Sequence, residues 1–155
     1  VISFSDTAEA LLPLSKMTDV VDFPGLVVKG GTNYGNAFTC LKNTIQTDIA
    51  DLKKGGAKVN RPIVFFISDG EPTDTNWKAA HAQVADKTWP FSPHIISFGL
   101  SGAQADTIRE VATQVDKKGK SFAYLADDDA SGAVLREIFN SLLSPILRDE
   151  CLEGR

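Results

Sequence analysis

The amino-acid sequence predicts one α/β domain with a mostly parallel central sheet, one antiparallel edge strand and helices on both faces. Short β-rich runs alternate with longer amphipathic stretches, which is the pattern of strand–helix–strand units. One run, residues 63–67, is apolar at every position, as expected for a parallel strand that helices cover on both faces. The composition agrees, because 43% hydrophobic and 23% charged residues in a chain of 155 are typical of a folded globular domain.

The first part of the chain predicts two strands and one long helix. Residues 1–5 alternate between apolar and polar side chains, as in a half-buried strand. Residues 10–14 are predicted as a second strand, and Pro13 within it lacks a backbone N–H, which indicates the edge of a sheet. After a loop over 16–31, apolar side chains spaced by three and four predict a helix over 33–54.

The rest of the chain alternates strands with helices. The apolar run at 63–67 is predicted as a strand, and helix, strand, helix, strand and helix follow it in turn. Their predicted ranges are 76–87, 95–99, 103–114, 122–125 and 131–147. The domain is predicted to span residues 1–148, and residues 149–155 are predicted to be a polar tail or linker.

Charge, hydropathy and cysteine content exclude several classes of protein. Sixteen Lys and Arg residues against twenty Asp and Glu give a net charge of -4, which argues against a nucleic-acid partner. The longest apolar run is far shorter than the roughly 20 residues of a membrane-spanning helix, so we expect no membrane insertion. Two cysteines, Cys40 and Cys151, are too few for a disulfide scaffold, and we expect free thiols in a reducing, cytoplasmic compartment.

Two loops carry the candidate functional residues, because ligands of parallel α/β sheets bind beyond the carboxyl ends of the strands. The loop at 30–35 opens the long helix and offers the Thr32 hydroxyl. The loop at 68–74 follows a predicted central strand and offers the Asp69 carboxylate. Asp and Thr supply the hard oxygen ligands that Mg²⁺ prefers, so these two residues are the candidate metal ligands.

A purely structural interpretation of the same residues is also open. Thr32 would then cap the long helix, and Asp69 would begin a turn before Gly70. His81 and His94 have no neighbours at metal-ligand spacing, so we expect both to be packing or surface residues.

The order of the motifs resembles that of a von Willebrand factor A domain. The motifs that carry this resemblance are Phe4-Ser5-Asp6, Gly30-Gly31-Thr32, Ser68-Asp69-Gly70-Glu71 and the Phe122-Ala123 stretch before the last helix. The resemblance covers nearly the whole chain and implies a Rossmann-like, three-layer fold. The intracellular bacterial branch of the family, which includes tellurite-resistance-type proteins, is the most similar.

In that family, the Thr and the Asp at these two positions belong to a metal-ion-dependent adhesion site. The resemblance therefore implies that Thr32 and Asp69 bind Mg²⁺, or Mn²⁺ or Ca²⁺ in its place. It implies a binding module and not an enzyme, with the ion accepting an Asp or Glu side chain from a protein partner. The expected rim of the site comprises Gly31, Asn33, Tyr34, Gly70 and Glu71.

The family's site also includes an Asp-x-Ser-x-Ser motif at the end of a central strand, which a helix follows. The sequence has neither element before Val1, so three of the family's five metal-site residues and one strand are absent from it. We expect a longer form of the protein, exchange of a segment between chains, or a second chain to supply them.

Two other functions stay open at the level of sequence. A structural scaffold without a working metal site would show no effect of Mg²⁺ on stability. An Mg²⁺-dependent hydrolase or phosphotransferase built on Asp69 would need a second acid or base close by, for which the sequence offers Glu71 and Asp74.

Overall fold

The computed structural model describes residues 1–22, 24–27, 30–100, 102–113 and 121–126, together with residue 136. The strands within these ranges are β1 (Ile2–Phe4), β2 (Ala8–Ala10), β3 (Ile63–Ser68), β4 (His94–Gly99) and β5 (Ala123–Leu125). The helices are α1 (Tyr34–Lys54), α2 (Trp77–Ala85) and α3 (Ala105–Val111), with a short 3-10 turn at Met17–Asp19. The helix predicted over 131–147 lies, apart from residue 136, outside the described residues, as do the tail and Cys151.

The described strands form a parallel sheet of three strands and a separate antiparallel pair. In the parallel sheet, β4 lies between β3 and β5, with Phe66 of β3 opposite Ser97 of β4. In the antiparallel pair, Ser3 of β1 lies opposite Glu9 of β2. Parallel strands joined by helices confirm the prediction of an α/β architecture.

The antiparallel pair is not the edge of one continuous sheet in the described part of the chain. We expect from the sequence a single sheet, whereas no ladder pairs β1 or β2 with β3 among the described strands. Side chains join the two sheets instead, because the Phe4 ring of β1 stacks on the Phe66 ring of β3 with 5.3 Å between centroids. Packing under α1, and not backbone pairing, therefore holds the two sheets beside each other.

The predicted position of the second strand, 10–14, is wrong, because the strand ends at Ala10. The backbone N–H groups of Leu11 and Leu12 both donate to the Val1 carbonyl, at 2.9 and 3.2 Å, and end the ladder at the open end of the hairpin. Pro13 then has no N–H with which to extend the ladder. The hairpin geometry and the proline together move the strand towards the turn.

The described helices share one face of the parallel sheet. On that face, the Phe66 ring stacks on Phe38 of α1 at 5.4 Å, and Phe38 stacks on Trp77 of α2 at 6.3 Å. The hydroxyl of Ser97, the register partner of Phe66, donates to the Ile108 carbonyl of α3 at 2.6 Å. Since register partners in parallel strands point to the same side of the sheet, α1, α2 and α3 all lie on this side.

The opposite face of the sheet is only partly covered in the described part of the chain. Ile63 and Ile67 of β3 are 40% and 37% exposed there, although the sequence predicts that helices cover this strand on both sides. A further helix is predicted over 131–147, and apart from residue 136 this range lies outside the described residues. No helix within the described ranges is long and apolar enough to cross a membrane.

Tyr34 is at the centre of the main hydrophobic core. It lies one turn before Phe38 on α1, so both rings project from the same side of the helix. The Tyr34 ring is fully buried and lies 4.9 Å from the Phe66 ring and 5.6 Å from the Trp77 ring, in edge-to-face geometry. Edge-to-face aromatic pairs contribute about 0.5 to 1.5 kcal/mol each beyond the area that they bury.

His81 of α2 packs against this core, as the prediction of a packing role requires. Its ring lies 4.9 Å from the Phe38 ring and 6.1 Å from the Trp77 ring, both edge-to-face. Its Nε2–H donates to the Val111 carbonyl at 2.9 Å. Burial lowers the pKa of His81 below its ordinary value and outweighs the hydrogen bond to Val111, which acts in the opposite direction.

We predict that His81 makes the fold sensitive to mild acid. Because its pKa is lower in the folded than in the unfolded chain, the unfolded state takes up a proton first as the pH falls below about 6.5. The free energy of unfolding should therefore be nearly constant above about pH 7.5 and should decrease as the pH falls from there to about 5.5. Calorimetric melting of wild type and His81→Gln, which keeps a hydrogen-bond donor, should show a smaller decrease in the variant. An unchanged pH slope in His81→Gln would contradict the role of His81.

Candidate functional site

The two loops that the sequence singles out meet at the carboxyl end of β3. The backbone N–H of Thr73 donates to the Thr32 carbonyl at 2.9 Å, and the Thr32 N–H donates to the Thr73 hydroxyl at 3.3 Å. A Cβ placed on Gly70 would lie only 3.2 Å from the Thr32 hydroxyl oxygen. Glycine at this position therefore lets the Thr32 hydroxyl approach the residue that follows Asp69.

Asn33, and not Thr32, caps α1. The backbone of Asn33 is extended, and its side-chain oxygen accepts a hydrogen bond from the Asn36 N–H at 2.8 Å. The structural interpretation in which Thr32 caps the helix is therefore wrong, because Thr32 lies one residue too early and its backbone pairs with Thr73. The Asn33 N–H in turn donates to the Ser5 carbonyl at 2.7 Å and attaches the loop to the end of β1.

Asp6 holds the glycine pair in front of Thr32. One oxygen of its carboxylate accepts from the Gly31 N–H at 2.9 Å. A Cβ on Gly31 would lie 2.7 Å from the same oxygen, and a Cβ on Gly30 would overlap the carboxylate. The side-chain amide of Asn36 donates to the Asp6 carbonyl at 2.8 Å. The two glycines thus allow the close approach of Asp6, a contact that sequence analysis did not identify.

Tyr34 fixes the loop that carries Asp69. Its hydroxyl donates to the Gly70 carbonyl at 2.9 Å. Burial raises the pKa of Tyr34 above its ordinary value, and the carboxylates of Glu71 and Asp69 raise it further, whereas a hydrogen bond with Ser68 lowers it. The phenol therefore stays protonated at neutral pH and remains a donor. The turn itself is closed by Ser68, whose hydroxyl accepts from the Gly70 N–H at 3.3 Å.

Asp74 occupies the N-terminus of α1. Its two carboxylate oxygens accept from the backbone N–H groups of Tyr34, at 2.8 Å, and Gly35, at 3.1 Å. The first N–H groups of a helix have no partner within the helix, and the helix dipole stabilises an anion there. Asp74 therefore serves as a tertiary cap that fastens the 68–74 loop to α1.

Glu71 occupies the start of α3 in a similar way. One of its oxygens accepts from the Gln104 N–H at 2.8 Å, and the other accepts from the Thr107 hydroxyl at 2.7 Å. Sequence analysis places Glu71 at the rim of the site, and the structure directs both of its carboxylate oxygens to α3. The 68–74 loop is consequently bound to a helix on each side.

Asp69 and Thr32 retain free oxygen atoms. Asp69 is exposed and Thr32 is half-buried, and neither the Asp69 carboxylate nor the Thr32 hydroxyl forms a hydrogen bond with any described residue. Both are hard oxygen donors, so in chemistry they fit Mg²⁺ or Ca²⁺, which take water or further oxygens at their other positions. Within the described ranges, no cluster of three or more His, Cys, Asp or Glu side chains could hold a metal ion.

Comparisons of the chain with protein-family models, with curated proteins and with solved structures found no match. The assignment of a function therefore depends on the chemistry and geometry of the site. In that site, the described residues bring Thr32, Gly70 and the loop of Asp69 together, with Gly31 and Asn33 on either side of Thr32 and Tyr34 beneath.

We predict that Asp74→Ala destabilises the fold by about 1 to 2 kcal/mol, because it leaves the Tyr34 and Gly35 N–H groups without their acceptor. Asp51→Ala is the matched control at the other end of α1, where the exposed Asp51 forms an ion pair with Lys54 at 3.1 Å. This control should cost less than about 0.5 kcal/mol. Urea unfolding followed by circular dichroism measures both, and equal losses would contradict a capping role for Asp74.

A second prediction concerns the contact between Asp69 and Gly102. The φ of Gly102 is +96°. A Cβ on Gly102 would lie 2.8 Å from the Asp69 carbonyl oxygen, whereas a Cβ on Gly56, with φ +79°, meets nothing within 4 Å. Gly56→Ala should cost about 1 to 2 kcal/mol through backbone strain alone. Gly102→Ala should cost about 1 to 3 kcal/mol more, because it also forces the Asp69 backbone to move. Equal melting temperatures for the two variants would show that the backbone of the Asp69 loop can shift without a loss of stability.

Proposed function

We propose that this chain is a metal-ion-dependent protein-binding module of the von Willebrand factor A type. Asp69 and Thr32 would bind Mg²⁺, or Mn²⁺ or Ca²⁺ in its place. The observation that carries the proposal is a difference in hydrogen bonding among the three carboxylates of the 68–74 loop. Glu71 and Asp74 accept hydrogen bonds from helix N-termini, whereas Asp69 is exposed and free of hydrogen bonds to described residues.

Hydrogen bonds to neighbouring elements preorganise the Asp69 loop for metal binding. Hydrogen bonds from Tyr34 to Gly70 and between Thr32 and Thr73 fix the loop before any ion arrives. A ligand held in place loses little conformational entropy on binding, so more of the interaction energy appears as affinity. The ion would supply a strong, directional contact for the carboxylate of an Asp or Glu side chain on a protein partner.

The proposal includes a Rossmann-like, three-layer fold and a cytoplasmic location. The parallel order of β3, β4 and β5 with helices between them supports the first part. The resemblance further implies an Asp-x-Ser-x-Ser segment that completes the metal site. Such a segment would come from a longer form of the protein, from segment exchange or from a second chain.

A hydrolase or phosphotransferase is less well supported than a binding module. Such an enzyme needs a second acid or base close to Asp69, and the candidates from the sequence are Glu71 and Asp74. Both oxygens of Glu71 accept from α3, and both oxygens of Asp74 accept from α1. Neither carboxylate is therefore free to move a proton at a substrate. A scaffold without a metal site is the remaining alternative, and a metal titration separates it from the proposal.

We predict that Mn²⁺ or Mg²⁺ raises the melting temperature of the protein and that EDTA reverses the rise. A ligand at one hundred times its Kd adds about 2.7 kcal/mol to the free energy of unfolding, so the shift should be easily measured. Asp69→Ala should abolish it, and Thr32→Val should weaken it, because each removes an oxygen donor. Calorimetry at a series of Mn²⁺ concentrations measures the melting temperatures of wild type and the two variants.

Asp106→Ala is the matched control, because it removes the same charge from an exposed side chain of α3 that forms an ion pair with Arg109. It should keep the full response to Mn²⁺. If Mn²⁺ does not change the melting temperature of the wild-type protein, the result would favour the structural scaffold without a metal site. A response that Asp69→Ala leaves unchanged would place the ion elsewhere.

A further inference from the structure

The N-terminus of α3 depends on a side chain from another part of the chain. Its N-cap residue, Gln104, makes no side-chain capping hydrogen bond. Glu71 replaces that cap from the 68–74 loop, with one oxygen on the Gln104 N–H and the other on the Thr107 hydroxyl. The first turn of α3 is therefore completed by the loop that carries Asp69.

Two further contacts attach the same loop to the connection before α3. The Leu100 N–H donates to the Ser68 carbonyl at 2.8 Å. Gly102 lies so close to the Asp69 carbonyl that a Cβ there would come within 2.8 Å of its oxygen. The backbone on both sides of Asp69 is thus in contact with the β4–α3 connection, and a movement of the loop must alter these contacts.

We propose that Glu71 is a positioning residue that couples the Asp69 loop to α3. When the Glu71 contacts are intact, they stabilise one arrangement of the loop and the first turn of α3 together. Such coupling is reciprocal, so a change made on α3 must alter the loop as much as a change in the loop alters α3. The consequence for metal binding rests on the function proposed above. An ion bound at Asp69 would stabilise the first turn of α3, and a substitution that destabilises α3 would lower the affinity for that ion.

Amide hydrogen exchange in the metal-free protein tests the coupling without any ligand. Thr107→Val removes one Glu71 contact from the α3 side, at a residue that is not one of the proposed ligands. Two amides report the result: Ile108, which donates to the Gln104 carbonyl within α3, and Thr73, which donates to the Thr32 carbonyl in the loop. We expect exchange at both to accelerate by about fivefold or more. Faster exchange at Ile108 alone, or at neither amide, would overturn the proposal.

Two more variants keep the test specific. Glu71→Gln keeps an oxygen acceptor but loses the charge, so it should accelerate the same two amides to a smaller extent. Asp106→Asn changes the same turn of α3 on its exposed side, where Asp106 contacts Arg109 at 2.9 Å, and should leave Thr73 unchanged. If Asp106→Asn accelerates Thr73 as much as Thr107→Val does, general loosening of α3 explains the effect and the role of Glu71 is refuted.

The metal titration then separates the two proposals. If wild type binds Mn²⁺, Thr107→Val should weaken binding by about tenfold, as substitutions in the supporting shell of a metal site commonly do. Unchanged affinity would refute the coupling to the metal site. If wild type binds no Mn²⁺, the proposed function fails, and the exchange rates of Ile108 and Thr73 by themselves decide whether Glu71 couples the loop to α3.

Discussion

The hydrogen bond from the Tyr34 hydroxyl to the Gly70 carbonyl is the contact on which the site depends. The ring of Tyr34 is buried among Phe38, Phe66 and Trp77, so its hydroxyl must find an acceptor within the protein or lose free energy. The Tyr34 backbone N–H is paired with Asp74 of the same loop. A conformation in which the loop moved away would leave both groups unpaired, and the aromatic core thereby fixes a loop at the surface.

The elements that the sequence predicts best are those with strong periodicity and clear ends. The helix predicted over 33–54 is found at Tyr34–Lys54, because its apolar stripe spans several turns and Gly55 follows it. The predicted position of the second strand is wrong, because the strand has only three residues and is too short to show the alternation of apolar and polar side chains. Its position is set by hydrogen bonds to the Val1 carbonyl, which no local pattern encodes.

The site is predictable in part for a similar reason. The position of the Asp69 loop follows from topology, because this loop begins at the carboxyl end of β3, where parallel α/β sheets bind their ligands. The roles of Asp74 and Glu71 do not follow, since rules for helix caps apply to residues within a few positions of the helix. Asp74 binds an N–H that is 40 residues earlier, and Glu71 binds one that is 33 residues later. Only the folded chain brings these groups together.

The same arrangement explains how three acidic residues can share one short loop. Like charges at this spacing would repel each other, and two of them are stabilised by the positive ends of helices, Glu71 at α3 and Asp74 at α1. Asp69 has no such partner among the described residues, so a cation is the species that would most reduce its electrostatic energy. Two fixed donors bind a divalent ion only weakly, however. In the function proposed above, the ion and a partner that supplies further oxygens would each raise the affinity of the other by the same factor.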